Sequence, residues 1–211
     1  MKVRVILVSI LITGCAAGRP QVVMLLTHPP IYPRGYIPIK VGVQKFKDLR
    51  LQKEKKATED ITDFTQELTA LVTRDLREAE LFESIRINYN PQNVHLLLTA
   101  EVNSFYWKSH ISPTTKLPYI KYIHDIGLAA GEGEGEVSIT FILIDPETQK
   151  EIVSYTETAK MKRSYKKNEA RSGGNETAEA LRKVIEQFID DILKDKDKIL
   201  DSLPEHCNCH K

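Results

Sequence analysis

The sequence predicts an α+β domain in which a mixed, largely antiparallel sheet carries two helices packed on one face. Three observations carry that prediction. Residues 59–80 and 175–193 repeat apolar side chains at steps of three and four, the period of a helix with one buried stripe. Four other stretches alternate apolar with polar residues, as half-buried strands do. The last two of these are joined by Asp145-Pro146-Glu147-Thr148, a turn sequence, so they read as a hairpin.

In chain order, the first segment is a leader. Lys2 and Arg4 give a short positive head, and Val3 to Ile12 is apolar except for Arg4 and Ser9, the layout of an export signal. The apolar run falls short of the ~20 residues that a membrane-crossing helix needs. Ile12-Thr13-Gly14-Cys15 resembles the lipobox of bacterial lipoproteins. That resemblance implies cleavage ahead of Cys15, with a diacylglycerol thioether and an amide-linked acyl chain on the new first residue. Ala16 follows the cysteine where an Asp would hold such a protein back, so the same resemblance implies the outer membrane, facing the periplasm. An ordinary secretory signal cut near Ala16-Ala17 is the competing reading. Residues 15–36 are expected to form a tether, because Pro20, Pro29, Pro30 and Pro33 with Gly18 and Gly35 deny it both helix and central strand.

The domain is expected over residues 37–198. Ile37, Ile39, Val41 and Val43 alternate as the first strand, and residues 47–56 follow as a charged loop. A helix from Glu59 to Glu80, N-capped by Thr58, buries Ile61, Phe64, Leu68, Leu71, Val72 and Leu76. A short strand over 81–87 ends at Asn88, Asn90, Pro91 and Asn93, and the longest strand runs over 94–108. Residues 111–135 mix a short strand at Tyr119 to Ile123 with a glycine run, Gly131, Gly133 and Gly135, that allows bending or a close backbone approach. The hairpin strands are 136–144 and 151–161, and a last helix begins near Asn175 as its N-cap. Its far end alternates charge as a solvated terminus would, leaving 199–211 as a tail.

Val41-Gly42-Val43 leading to Phe46, a helix closing on Leu76-Arg-Glu-Ala-Glu-Leu-Phe82, a long strand and a late hairpin together resemble the TolB amino-terminal-like, or anticodon-binding-like, envelope lipoproteins. That group includes the curli-secretion lipoprotein CsgG, the YajG-like lipoproteins and penicillin-binding-protein activators. The resemblance spans roughly residues 37–195 and implies a fold rather than a chemistry.

Composition sets limits on function. With 41% hydrophobic and 28% charged residues the chain is ordinary for a globular protein. The formal charge of +1 becomes −1 once Lys2 and Arg4 leave with the leader, so nucleic acid is not an expected partner. None of the histidines at 28, 95, 110, 124, 206 and 210 sits in an HExxH, GxSxG or triad-like sequence, so the chain is not expected to be an enzyme. Gly131-Glu-Gly-Glu-Gly-Glu136 precedes a strand instead of opening a helix, and its carboxylates would repel phosphate.

Four groups remain as candidate sites. Cys15 is the expected lipidation site. Tyr106, Trp107, Tyr119 and Tyr122 gather large amphipathic rings where the periodic pattern fails, which suits a partner surface or self-assembly, with core packing as the equal alternative. Lys47, Arg50, Lys53, Lys55 and Lys56, with Lys160, Lys162, Arg163, Lys166 and Lys167, form two basic clusters suited to an anionic envelope surface, or else a solvated face neutralised by nearby acids. His206, Cys207, Cys209 and His210 offer two thiols and two imidazoles to Zn²⁺ or Cu⁺, although the thiols can equally pair in an oxidising compartment. No other cofactor is expected. The chain therefore reads as a lipid-anchored binding or assembly module of the cell envelope, with an auxiliary role in a transport or secretion complex and metal handling as the other two readings.

Overall fold

A computed structural model describes residues 29–55, 63–111, 129–166 and 175–203. The strands are β1 (Ile37–Val43), β2 (Lys47–Asp48), β3 (Phe82–Arg86), β4 (Leu96–Ile111), β5 (Ala129–Ile144) and β6 (Glu151–Lys166). The helices are α1 (Gln52–Lys55), α2 (Phe64–Glu78), α3 (Asn175–Lys194) and α4 (Lys196–Asp201). The sheet order is β3-β1-β4-β5-β6, with β2 beside β4. β1 runs parallel to β3 and β4, whereas β4, β5 and β6 are antiparallel neighbours. This is the general α+β layout expected, a mixed sheet with its helices on one face.

The alternation in β1 puts Ile37, Ile39, Val41 and Val43 under the helices, each at most 1% exposed. α2 and α3 lay their apolar stripes over the same core, Leu68, Val72 and Leu76 from one and Leu181, Val184, Ile185, Phe188 and Ile192 from the other. A chain of rings crosses its middle: Phe141 stacks on Phe188 with centroids 4.3 Å apart, and Phe46 and Tyr155 meet these two edge-on. Each such contact adds about 1 kcal/mol beyond the area it buries.

Element ends differ from the sequence expectation for identifiable reasons. α2 starts at Phe64, not at residue 59, because Asp63 breaks from helical geometry and its carboxylate accepts from Gln66 N at 3.1 Å. The proposed cap Thr58 lies outside the described residues. Asn175 is the first residue of α3. β5 begins seven residues earlier than its apolar alternation suggests, and the glycine run lies inside it. A Cβ on Gly135 would stand 2.3 Å from Thr177 N, and one on Gly133 2.9 Å from Glu176 Cδ. The glycines thus let the first turn of α3 rest on the strand backbone, where Thr177 Oγ1 donates to Tyr106 O.

The core also extends past both ends expected for the domain. Ile31 is 2% exposed, Arg34 donates to both carboxylate oxygens of Asp190, and Gly35 is seated against Leu193. Residues 29–36, expected to be tether, are therefore a strap clipped to α3. At the other end α4 buries Ile199, with Leu200 and Leu203 packed behind it, so the domain continues beyond residue 198.

Candidate interaction surfaces

β4, β5 and β6 are each 16 residues long against seven for β1, so they form a ribbon that outruns the rest of the sheet. Cross-strand register decides what each face shows. Val137, Ile139, Phe141 and Leu143 of β5 point to the helices with Phe105, Val102, Ala100 and Leu98 of β4 opposite them. The residues between point away, to a face on which none of the described helices packs. There polar side chains join across strands: the Asn103 amide donates to Thr140 Oγ1, and hydroxyls bond between Thr140 and Thr156 at 2.9 Å and between Ser138 and Thr158 at 2.8 Å.

Further along the ribbon this open face becomes a lattice of alternating charge. Glu136 lies between Tyr106 and Lys160, and Glu134 between Lys108 and Lys162. Tyr106 donates its hydroxyl to Glu136 Oε2 at 2.8 Å, Lys160 Nζ reaches Glu134 and Glu136 at 2.9 and 3.0 Å, and Lys162 reaches Glu134 at 3.5 Å. The hydrogen bond from Lys160 holds the Glu134 carboxyl below its usual range. Burial acts to raise Glu136, but the bonds from Tyr106 and Lys160 outweigh it and hold that group low as well. Burial and the Glu136 carboxylate together push the Tyr106 phenol up.

These placements sort the sequence candidates. Tyr106 and Trp107 are consecutive in a strand and so face opposite sides of the sheet, Tyr106 on the open face and Trp107 beside Gly135 on the helix side. They do not form one patch. Tyr119 and Tyr122 lie outside the described residues, as do Cys15, Lys56, Lys167, His206, Cys207, Cys209 and His210. Lys160 and Lys162 are neutralised by the glutamates opposite them, so the late basic cluster is half of a mixed lattice. Arg163 is exposed on the other face, opposite Gly133, and Lys166 pairs with Ala129 at the end of β6.

The early cluster is divided too. Lys53 is exposed, Lys47 pairs loosely with Glu101 at 3.5 Å, and Lys55 Nζ donates to Asp48 O. Arg50 is a correction: it is 4% exposed and faces inward. Its Nε and Nη2 grip both oxygens of Asp48 at 2.9 Å, and its guanidinium lies 3.7 Å from the centre of the Phe64 ring. Burial works against the Asp48 charge, yet the Arg50 bonds prevail and keep that carboxyl low. Sequence reasoning missed Glu134 and Glu136 as partners of Lys160 and Lys162. Glu136 and Lys160 already fall within the predicted hairpin strands, and extending its register by two residues at the open end would have paired Glu134 with Lys162 as well.

Among the described residues no group of three or more His, Cys, Asp or Glu side chains is placed to hold a metal, and no helix is long and apolar enough to cross a membrane.

No family model matches the chain, and no curated protein matches it. Solved structures do. Protein XCC0632 from Xanthomonas campestris is 12% identical with a TM-score of 0.49, over 84% of this chain and 95% of that one. The PelC dodecamer from Paraburkholderia phytofirmans is 17% identical with a TM-score of 0.39, over 74% and 89%. Lipoprotein GNA1162 from Neisseria meningitidis is 13% identical with a TM-score of 0.39, over 74% and 99%. At this level the likeness is one of general architecture and says nothing about activity or partners.

Proposed function

We propose that the protein is an envelope lipoprotein, acylated at Cys15 and held to the periplasmic side of the outer membrane, that presents the β4–β5–β6 ribbon to a protein partner or to further copies of itself. The observation that carries this reading is the face of the ribbon on which none of the described helices packs. Three long strands cost ordering entropy, and their outer halves add little to the core, whose apolar residues on β5 stop at Val137. What they display instead is Tyr106 within an alternating lattice of Lys108, Glu134, Glu136, Lys160 and Lys162, a pattern that favours one partner register through charge complementarity. Tyr106 is the ring retained from the sequence-based aromatic group as an anchor. Lys160 and Lys162 are engaged by carboxylates and Lys108 Nζ lies over the Tyr106 ring at 4.7 Å, so an anionic membrane surface is the weaker occupant.

The test places a photo-crosslinking residue at Thr140 or Lys162 on the ribbon, or at Glu147 in the opposite turn, in the acylated protein in its own membranes. The reading expects the protein in the outer-membrane fraction, with adducts of defined mass from the two ribbon positions only. Cys15→Ser should abolish membrane retention. Recovery of the wild type in the cytosol, or identical adducts from all three positions, would overturn it.

A further inference from the structure

The connection from β3 to β4 crosses the open face of β1, and it does so at one residue. Tyr89 sits on Gly42, where a Cβ would stand 2.6 to 2.8 Å from three atoms of the ring. Only glycine lets the ring reach the strand backbone. The crossing is then turned by a 3-10 helix at Pro91–Asn93, with Asn90 Oδ1 accepting from Gln92 N at 3.1 Å. Between this connection and the strands lies a cleft of about 550 Å³, within the size range of small-ligand sites.

The cleft has a consistent chemistry. Lys40 and Arg86 supply cations from adjacent strands, Asn88, Asn93 and Gln92 supply amides, and none of its lining residues is acidic. Lys40 meets Glu83 just outside it at 3.4 Å, but both side chains are more than 40% exposed, so the pair is weak and easily exchanged. Arg86 is exposed and has no ion pair among the described residues. His95 closes one side. Its Nδ1 accepts from Lys40 N at 3.3 Å, which assigns the ring proton to Nε2 as a donor. Burial and the nearby Lys40 charge lower its pKa, so the ring stays neutral in this role.

We infer that this cleft binds a small anion rich in hydroxyls, of the sugar-acid or sugar-phosphate class. Lys40 and Arg86 meet the anionic group, the amides meet the hydroxyls, and the half-buried Tyr89 ring offers an apolar wall to the sugar. The site is separate from the ribbon and stands or falls independently of it.

Amide NMR titrations of the full chain with glucuronate, glucose 1-phosphate, glucose and inorganic phosphate test the inference. Saturable shifts at Arg86, Tyr89 and His95 are expected with glucuronate or glucose 1-phosphate, and whichever binds tighter identifies the anionic group. Glucose and phosphate should each bind at least about tenfold more weakly, since each lacks half of the recognised chemistry. Arg86→Gln and Tyr89→Ala should each weaken binding by about tenfold with spectra unchanged away from the cleft. Absence of saturation with both sugar anions, phosphate binding as tightly as either, or equal affinity in R86Q and Y89A would overturn it.

Discussion

Gly135→Ala is the sharpest test of how the ribbon is joined to the rest of the protein. The added methyl would lie 2.3 Å from Thr177 N and 2.5 Å from Glu176 C, both backbone atoms, so no side-chain rotation relieves the clash. Restoring ordinary contact requires the first turn of α3 to lift by about 1 Å, and overpacking of this kind costs about 1–3 kcal/mol. The lift also stretches the bond from Thr177 Oγ1 to Tyr106 O, now 3.1 Å, worth about a further 1 kcal/mol. A total loss of about 2–4 kcal/mol is therefore expected in urea unfolding, with the midpoint moving and the m-value unchanged. Ser138→Ala, three residues along the same strand but on the open face, is the control and should change stability by less than about 0.5 kcal/mol. If G135A were as stable as S138A, the claim that glycine is needed for helix approach would be wrong.

Other predictions follow the buried charges and the backbone. Arg50→Ala should cost about 3 kcal/mol by stranding Asp48 beside the core, and Arg50→Lys should restore little, because an ammonium cannot match the two-point grip and the stacking on Phe64; full stability in R50K would refute this. Glu157 is 9% exposed, and burial first, then the Asp191 charge, raise its pKa. A raised carboxyl favours the fold below its ordinary pKa of about 4.5 and loses that contribution as pH rises through the folded value, so Glu157→Gln should flatten this fall and be at least as stable as wild type at pH 7. Asp48 and Glu134 have the opposite sign: held low by Arg50 and Lys160, they stabilise above the ordinary carboxylate range, and urea midpoints should drop as pH falls below about 4. Glu80 closes α2 at φ 50°, so Glu80→Gly should raise stability by up to about 1 kcal/mol; a loss would show that the Glu80 side chain matters more than its backbone strain.

The parts of this fold legible from sequence are those written as local period. Ile37 to Val43, the stripe of α3 and the turn after Ile144 each determine their element with little outside help. The misread parts depend on contacts between distant segments. In the sequence Ile61 keeps the same three-and-four spacing as Phe64 and Leu68, so periodicity alone could not reveal that Asp63 caps the helix. Arg50 stands among lysines and looks solvated until Phe64 and Asp48 are brought around it. The run from Gly131 to Gly135 looks like a break because its alternation is carried by glycine and glutamate, and only the register with β4 and β6 shows a strand. Tyr106 and Trp107 were legible as prominent rings, but which face each one served required the strand to be placed.

The clip at Arg34 has a mechanical consequence. The strap enters β1 at Ile37, whereas the ribbon extends from the far end of the sheet, because β4 runs parallel to β1 and continues beyond it. Residues 15–28 can span no more than about 50 Å even fully drawn out. The ribbon itself is about 50 Å long. If Cys15 is the anchor, as proposed above, tension arriving from it would load the Arg34 contacts with Asp190 and Glu186 before it reached the hydrogen bonds of β1. Under that proposal the clip would act as a strain relief, passing a pull from the anchor into α3 while the ribbon, at the opposite end, keeps its aim.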